Sequence, residues 1–295
     1  MAMQFKRAKR ALSYLRLAIQ GPSGSGKTFS ALKLAKGLGG RIAVIDTERG
    51  SASLYADLPD MPEFDVLELD APYKPERYVE AIQAARDAGY DVLVIDSMTH
   101  EWSGSGGCLE LNDEIAVAKY RGNTWSAWSE TTPRHRAFVD AILSSPMHVI
   151  CTMRSKTDTV QEEINGRKVV KKVGMKPEQR DGMDYEFTVV FDLTAEHICS
   201  VSKDRTAMFS DPFRLTEETG EKIANWLKSA GVTPEEFAEL MDRVLEAPDL
   251  ESLEAIGKEI ASKGLCGEDR QKMLNAWVQR KRELASDEEE LTVEA

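Results

Sequence analysis

Cysteine and histidine are scarce, with four of each in 295 residues. Cys108, Cys151, Cys199 and Cys266 stand at no paired spacing, and the histidines are scattered. A disulfide framework and a zinc site are therefore not expected, and the reducing cytosol is the expected compartment. No run reaches the ~18 apolar residues of a membrane span, so no membrane partner is expected. The apolar stretch Ala11–Ile19 is too short for a secretory signal and is broken by Arg16. Acids are missing before Asp46, as in an Arg-rich transit peptide. Cleavage there would destroy the Gly-rich motif Gly21–Thr28, so the first residues are read as structural. A surplus of positive charge is also lacking: the net charge is −12. Its distribution is uneven, however. From Glu217 onward there are 20 acids and 10 bases, which leaves 30 acids and 28 bases before it. The first part is thus close to neutral, and net charge excludes no nucleic-acid partner. No internal repeat is found.

With 42% hydrophobic and 30% charged residues, the composition is that of a soluble globular chain with a sizeable core. At ~150 residues per domain, its length suits one large domain with a smaller one, or two equals. Residues 14–96 alternate between strands and helices. Strands are expected at Tyr14–Gln20, Arg41–Asp46, Phe64–Leu69 and Asp91–Asp96, and helices at Lys27–Leu38 and Pro75–Ala88. Apolar strands separated by helices imply a parallel sheet buried on both faces. Ser97–Thr132 reads as a long polar, Trp-containing stretch with one helix near Leu109–Lys119. Pro133 is expected to open a helix to Leu143, followed by a strand at Met147–Met153. A hairpin is expected over Thr157–Gly174, turning at Asn165-Gly166, the preferred two-residue turn. Strands at Glu186–Leu193 and His197–Ser202 follow.

After about Leu215 the character changes. Thr233-Pro234-Glu235-Glu236 is a helix-start pattern. Phe237, Leu240, Met241, Val244 and Leu245 then recur at helical spacing. Leu250–Ile260 and Met273–Leu284 give two more amphipathic helices. The expected organisation is a core over 1–215, a helical domain over 216–285 and a disordered acidic tail over 286–295.

Gly21–Thr28, GPSGSGKT, matches the phosphate-loop pattern G-x-x-x-x-G-K-[ST], which arises by chance in roughly one chain of this length per hundred. Here a strand precedes it and a helix follows, as the chemistry requires. Loop and helix N–H groups would cradle phosphates. Lys27 would reach the β- and γ-phosphates, and the Thr28 hydroxyl would bind Mg²⁺. The dinucleotide fingerprint fits less well, because Gly24-x-Gly26 is followed by Phe29 rather than glycine. A second acid for the metal should end a neighbouring buried strand, and Asp96 closes VLVID. Hydrolysis also needs a group that activates water. Asp46 and Glu48 both lie at the end of IAVID, two residues apart, and spacing does not choose between them.

The order GPSGSGKT, VIDTERGS, VLVIDS resembles the motifs of RecA-like recombinases over roughly residues 14–210. The resemblance implies an α/β fold: a RecA-like P-loop NTPase core with a mainly parallel central sheet, here followed by a small C-terminal helical domain. It implies ATP and Mg²⁺ as cofactors, with Gly21, Pro22, Ser23, Gly24, Ser25, Gly26, Lys27, Thr28 and Phe29 at the nucleotide and Thr28 and Asp96 at the metal. It makes Glu48 the catalytic glutamate. Where the family has a γ-phosphate-sensing glutamine, this chain has Thr152, with Arg154 two residues on as the group that would carry the sensing. Lys203 and Arg205 resemble the pair of cations that such filaments and rings extend to the next subunit's nucleotide, which implies self-association with the nucleotide site at the subunit interface. Phe5-Lys6-Arg7-Ala8 has the F-x-x-A form by which some recombinases bind a neighbour.

The Trp-rich stretch, PRHRAFVDAILSSPMHVICTMRSKTD and the helical tail further resemble phage-encoded RecA-core ATPases. Some of these anneal single strands with the help of a single-stranded-DNA-binding protein. That implies single-stranded DNA as a partner and a bacterial host's cytoplasm as the location. Two DNA surfaces are candidates. One is the hairpin region, with Lys156, Arg167, Lys168, Lys171, Lys172 and Lys176 beside Arg154 and Arg180. The other is the stretch with Trp102, Tyr120, Arg121, Trp125, Trp128, Arg134 and Arg136, where aromatic rings would stack bases. The alternative reading is an ATP-gated assembly or regulatory module that binds protein through its acidic helical tail. A small-molecule kinase fits less well, since no basic lid is evident.

Overall fold

The computed structural model describes residues 14–164, 167–210, 212–228, 234–262 and 272–284. Contacts divide the chain into two compact units, Tyr14–Glu221 and a second unit holding the described residues from Lys222 on.

In the first unit, β1 (Arg16–Gly21), β2 (Ile42–Asp46) and β4 (Val92–Asp96) are buried at every residue. Strands covered on both faces are mostly apolar, and the polar exceptions here are Arg16 and Gln20 in β1 and the terminal Asp46 and Asp96 of β2 and β4. They join β3 (Asp65–Glu68), β5 (His148–Ile164), β6 (Arg167–Pro177), β7 (Val189–Leu193) and β8 (Cys199–Asp204) in one sheet ordered β3-β2-β4-β5-β1-β7-β8. The neighbours from β3 to β7 run parallel. The hairpin partners β5–β6 and β7–β8 run antiparallel. The fold is therefore α/β with a mainly parallel central sheet. Registers Gly21↔Arg154 and Asp46↔Asp96 bring the carboxyl ends of β1, β2 and β4 into one row with Arg154 of β5, where open α/β sheets bind their ligands.

Helix α1 (Lys27–Leu38) buries Ala31, Leu32, Leu34, Ala35 and Leu38 and stops at Gly39. Helix α2 (Pro75–Asp87) starts with proline at its first turn, where the missing N–H costs nothing. Between β4 and β5 lie α3 (Thr99–Ser103), α4 (Cys108–Lys119) and α5 (Thr124–Ser144). The last corrects the expectation that a helix opens at Pro133, because that proline lies inside α5. The helix starts instead at Asn123, whose side chain accepts the Ser126 N–H at 3.1 Å. Ala127, Thr131, His135, Phe138, Val139 and Ile142 are buried along it. This stripe runs through the proline, and its packing outweighs the one lost backbone bond.

Arg16, which interrupts the apolar run of β1, is buried and donates to four carbonyls, those of Leu15, Met147, Leu143 and Ser145. Two of the four belong to the end of α5, where unpaired carbonyls favour a cation. Burial lowers its proton affinity, and the nearby Cys151 and Tyr14 work against that.

Helix α6 (Glu217–Lys228) crosses the unit boundary. In the second unit, α7 (Pro234–Leu245), α8 (Leu250–Ser262) and α9 (272–284) bury Leu240, Val244, Leu253, Ile256, Met273 and Leu284 against one another. The Trp277 indole donates to the Leu253 carbonyl at 3.0 Å. The Phe5–Ala8 pattern, the Asn165-Gly166 turn and the acidic tail lie outside the described residues.

Candidate nucleotide site

β1 runs into the loop Pro22–Gly26, and α1 leaves it. Two of its glycines are required by geometry. A Cβ on Gly21 would meet Ser25 Oγ at 2.6 Å and the Leu193 carbonyl at 2.7 Å. Gly26 has φ 83°, which L side chains rarely adopt, and its Cβ would approach His197 Nδ1 at 3.1 Å. Lys27 folds back over the loop, with Nζ 3.0 Å from the Gly21 carbonyl and 2.9 Å from that of Pro22. Burial lowers the proton affinity of this ammonium, and Asp96 and Glu48 partly restore it. Phe29, just past the loop, is partly exposed and meets Tyr55 edge-on at 6.0 Å.

Asp96 sits at the end of β4 with 1% of its surface exposed. Thr28 Oγ1 donates to one carboxylate oxygen at 2.5 Å and Thr152 Oγ1 to the other at 2.5 Å. Burial raises the proton affinity of Asp96, the two hydroxyls lower it, and Glu48 and Asp46 raise it again. A cation at this carboxylate would offset that desolvation. The donors are hard oxygens, as Mg²⁺ prefers. Buried hydroxyls of Ser25 and Ser97, in the loop and beside Asp96, have no hydrogen-bond partner. The residues thus fit Mg²⁺ and phosphate oxygens.

The two acids after β2 are sorted by their partners. Asp46 is buried, and its carboxylate accepts the Glu48 N–H at 2.6 Å and the Ala52 N–H at 2.8 Å. It holds the turn that aims Glu48. Glu48 is partly exposed, and its Oε1 lies 3.0 Å from Arg154 Nε and 2.9 Å from Arg154 Nη2. Thr47 Oγ1 accepts the Ser97 N–H at 2.9 Å and lies 2.8 Å from His100 Nδ1. Tyr73 stacks on that imidazole at 4.9 Å. Burial and the neighbouring Arg154 keep His100 biased toward the neutral form.

Lys203 and Arg205 share a face, as their two-residue spacing requires. Lys203 Nζ donates to the carbonyls of Asp184 (2.8 Å) and Tyr185 (2.7 Å), and Arg205 Nη2 donates to that of Tyr185 at 2.9 Å. Both cations are on or just past β8, at the sheet's edge.

Parts of the two candidate surfaces meet in one place, whereas Tyr120, Arg121, Arg134 and Arg136 do not line it. Trp102, Trp125 and Trp128 line a cleft of about 650 Å³ together with Lys156, Lys176 and Arg180. Lys156 and Lys176 are directly opposed across the β5–β6 hairpin. The side chains of Arg167, Lys168, Lys171 and Lys172 lie outside the described residues, although their strand is described.

Sequence reasoning missed three arrangements. His197 Nδ1 lies 3.0 Å from the Ser25 carbonyl, so this nitrogen carries the proton and ties the loop to the β7–β8 turn. Glu101, fully buried, lies 3.0 Å from His135 Nδ1, accepts from Cys108 Sγ at 3.0 Å and meets Gln179 Nε2 at 3.4 Å. These three ligand-type residues, Glu101, Cys108 and His135, converge although their spacing shows no metal pattern. Their hydrogen bonds already satisfy the carboxylate. Asp46's use as a backbone clamp was the third. Among these, only the short Asp46–Glu48 separation is visible along the chain.

A family model for the AAA domain matches residues 13–229. No curated protein matches the chain. Among solved structures, the RadB recombinase is similar at 16% identity and TM-score 0.38, over 68% of this chain and 88% of that one. A prototypical ATPase from the type III secretion system of pathogenic bacteria is similar at 15% identity and TM-score 0.39, over 95% of this chain and 88% of that one. Likenesses this low bear on neither activity nor substrate. The family model spans the entire sheet and the phosphate loop at its centre, and the chain belongs to the AAA domain family of P-loop ATPases.

Proposed function

We propose that this chain binds ATP with Mg²⁺ at Gly21–Thr28, hydrolyses it, and acts on single-stranded DNA as a phage recombination protein in the host cytoplasm. A single-stranded-DNA-binding protein is the expected helper. The observation that carries the nucleotide part is the contact of Thr28 Oγ1 with Asp96 at 2.5 Å beside the loop. Mg²⁺, when bound by the Thr28 hydroxyl and held through Asp96, would neutralise phosphate charge.

The remaining steps belong to the chain's own groups. Loop N–H groups and the start of α1 receive the phosphates. Lys27 exchanges its two carbonyl partners for phosphate oxygens, which pairs the ammonium with an anion in place of neutral acceptors. Asp46 is committed to two backbone N–H groups, which leaves Glu48 as the base that takes the proton from water. In the resting protein its carboxylate is held by the Arg154 guanidinium. Arg154 turning to the γ-phosphate would release Glu48 only when nucleotide is present. Thr152, spent on Asp96, fixes that carboxylate rather than sensing phosphate. Lys203 and Arg205 serve the neighbouring subunit's nucleotide, which makes hydrolysis a property of the assembled protein.

DNA is supported by the placement of Lys156, Lys176 and Arg180 beside three tryptophans on one cleft, where cations can meet phosphates and rings can meet bases. The test is ATP hydrolysis by the full chain with and without poly(dT), alongside calorimetric ATP binding. Stimulated turnover supports the reading. ATP turnover indifferent to DNA, with no salt-sensitive DNA binding, would favour the protein-binding alternative.

A further inference from the structure

Trp125 lies in the first turn of α5 with 87% of its surface exposed. An aromatic side chain of this size is seldom left in water without use. Close by, Trp102 and Trp128 stack face to face, with centroids 5.5 Å apart and planes 18° apart. All three line the same cleft as Lys156, Lys176 and Arg180, with Glu178 and Asp181 at its wall. The stack is braced from behind. Trp102 meets the buried His135 edge-on at 5.5 Å, and His135 is bonded to Glu101. A pre-formed pair of parallel indoles spends little entropy on receiving a third flat ring.

We infer that this cleft is a base-stacking site for a single-stranded nucleic acid. Trp125 and the Trp102–Trp128 pair receive the bases, and Lys156 and Lys176 hold the phosphates between them. The inference rests on the single-stranded-DNA reading above and adds to it the residues that bind bases rather than backbone. Stacking tolerates any sequence, because every base has a π-face. The occupant is a flexible single strand, because a duplex keeps its bases inside.

The test measures binding of a dT oligomer and of an abasic deoxyribose-phosphate oligomer of equal length by the full chain, in parental and Trp125→Ala forms. Trp125 is almost wholly exposed, so the variant leaves the core intact, and circular dichroism checks this. The parental protein should bind dT with quenched tryptophan emission and the abasic strand about a hundredfold more weakly, about tenfold for each of the two stacking positions. Trp125→Ala should lose about tenfold on dT and almost nothing on the abasic strand, which shrinks the preference. Its salt slope should match the parental one, because no phosphate contact is removed. Equal binding of dT by both forms would overturn the cleft as the base site while leaving DNA binding in place. No binding of either oligomer by the parental protein, with or without ATP, would overturn the DNA reading itself.

Discussion

The nucleotide end and the tryptophan cleft lie at the two ends of one short helix, α3, and are built on opposite plans. At the nucleotide end every described acid has partners: Asp96 has two hydroxyls, Asp46 two N–H groups, and Glu48 an arginine. At the cleft Trp125 is left exposed, and the stacked Trp102–Trp128 pair is half-buried. Successive residues of α3 serve each in turn. Thr99 accepts the Arg154 N–H at 2.9 Å, His100 faces Thr47, Glu101 holds the buried network, and Trp102 enters the cleft. The lesson is that one short helix can carry saturated polar groups toward one site and an aromatic ring toward the other. Gln179 reinforces the link by donating to the Met98 carbonyl at 2.9 Å.

The largest effect expected at the nucleotide end comes from a residue remote from the loop. Arg205→Ala should bind ATP but lose about 10³-fold or more in turnover, the scale of an arginine finger. Mixing it with inactive Lys27→Ala protein should restore part of the activity, since mixed interfaces join an intact loop to an intact cation. Activity strictly linear down to dilute protein, with no rescue, would return Lys203 and Arg205 to the role of bracing the Tyr185 carbonyl. Next in size, Lys27→Ala should weaken ATP binding more than tenfold, since a charge-assisted bond contributes ~1.5–3 kcal/mol. Calorimetry showing parental affinity in a folded variant would remove Lys27 from the phosphates.

The cleft should respond to salt instead. Replacing Lys156 and Lys176 by alanine should lower the log–log salt slope for single strands by about 1.4, at ~0.7 per phosphate contact. A parental slope would move the backbone contacts to the lysines farther along the hairpin.

The smallest effect is on stability, and its sign separates the two regions. Burial raises the proton affinity of Asp96 in the folded protein. The stabilisation carried by its neutral form is present at acid pH and is lost as pH rises through its raised folded value. Asp96→Asn, which never ionises, should therefore gain on the parental protein as pH rises toward neutrality. The gain should read as ~2–4 °C in Tm per kcal/mol, although Mg²⁺-dependent activity is lost. A variant less stable than the parental protein at pH 7 would mean that the Thr28 and Thr152 hydrogen bonds outweigh desolvation.

How much of this was legible along the chain follows from the range of the interactions. β1, β2 and β4 were legible because burial on both faces demands a largely apolar run. Lys27–Leu38 was legible because a glycine loop and Gly39-Gly40 bracket it. Pro133 misled because a local rule for helix starts was applied inside a helix whose buried stripe runs from Ala127 to Ile142. In the site, the loop, Asp96 and the pair Asp46/Glu48 were visible, but the choice within that pair depends on how the turn to Ala52 closes. His197 meets Ser25 across 172 positions, and His135 meets Glu101 across 34. No local pattern encodes such contacts. For the same reason the tryptophan stretch and the hairpin read as two surfaces, since only the sheet order brings α3 and α5 beside the outer half of β5.

The division of labour between the two acids after β2 is the claim on which the account turns, and steady-state ATP hydrolysis by Glu48→Gln, Asp46→Asn and the parental chain measures it. Glu48→Gln should retain ATP binding and lose about 10²–10⁴-fold in turnover, the contribution of a positioned base. Asp46→Asn should lose far less, because its amide oxygen still accepts one of the two N–H bonds. Turnover that survives in Glu48→Gln and disappears in Asp46→Asn would contradict the assignment.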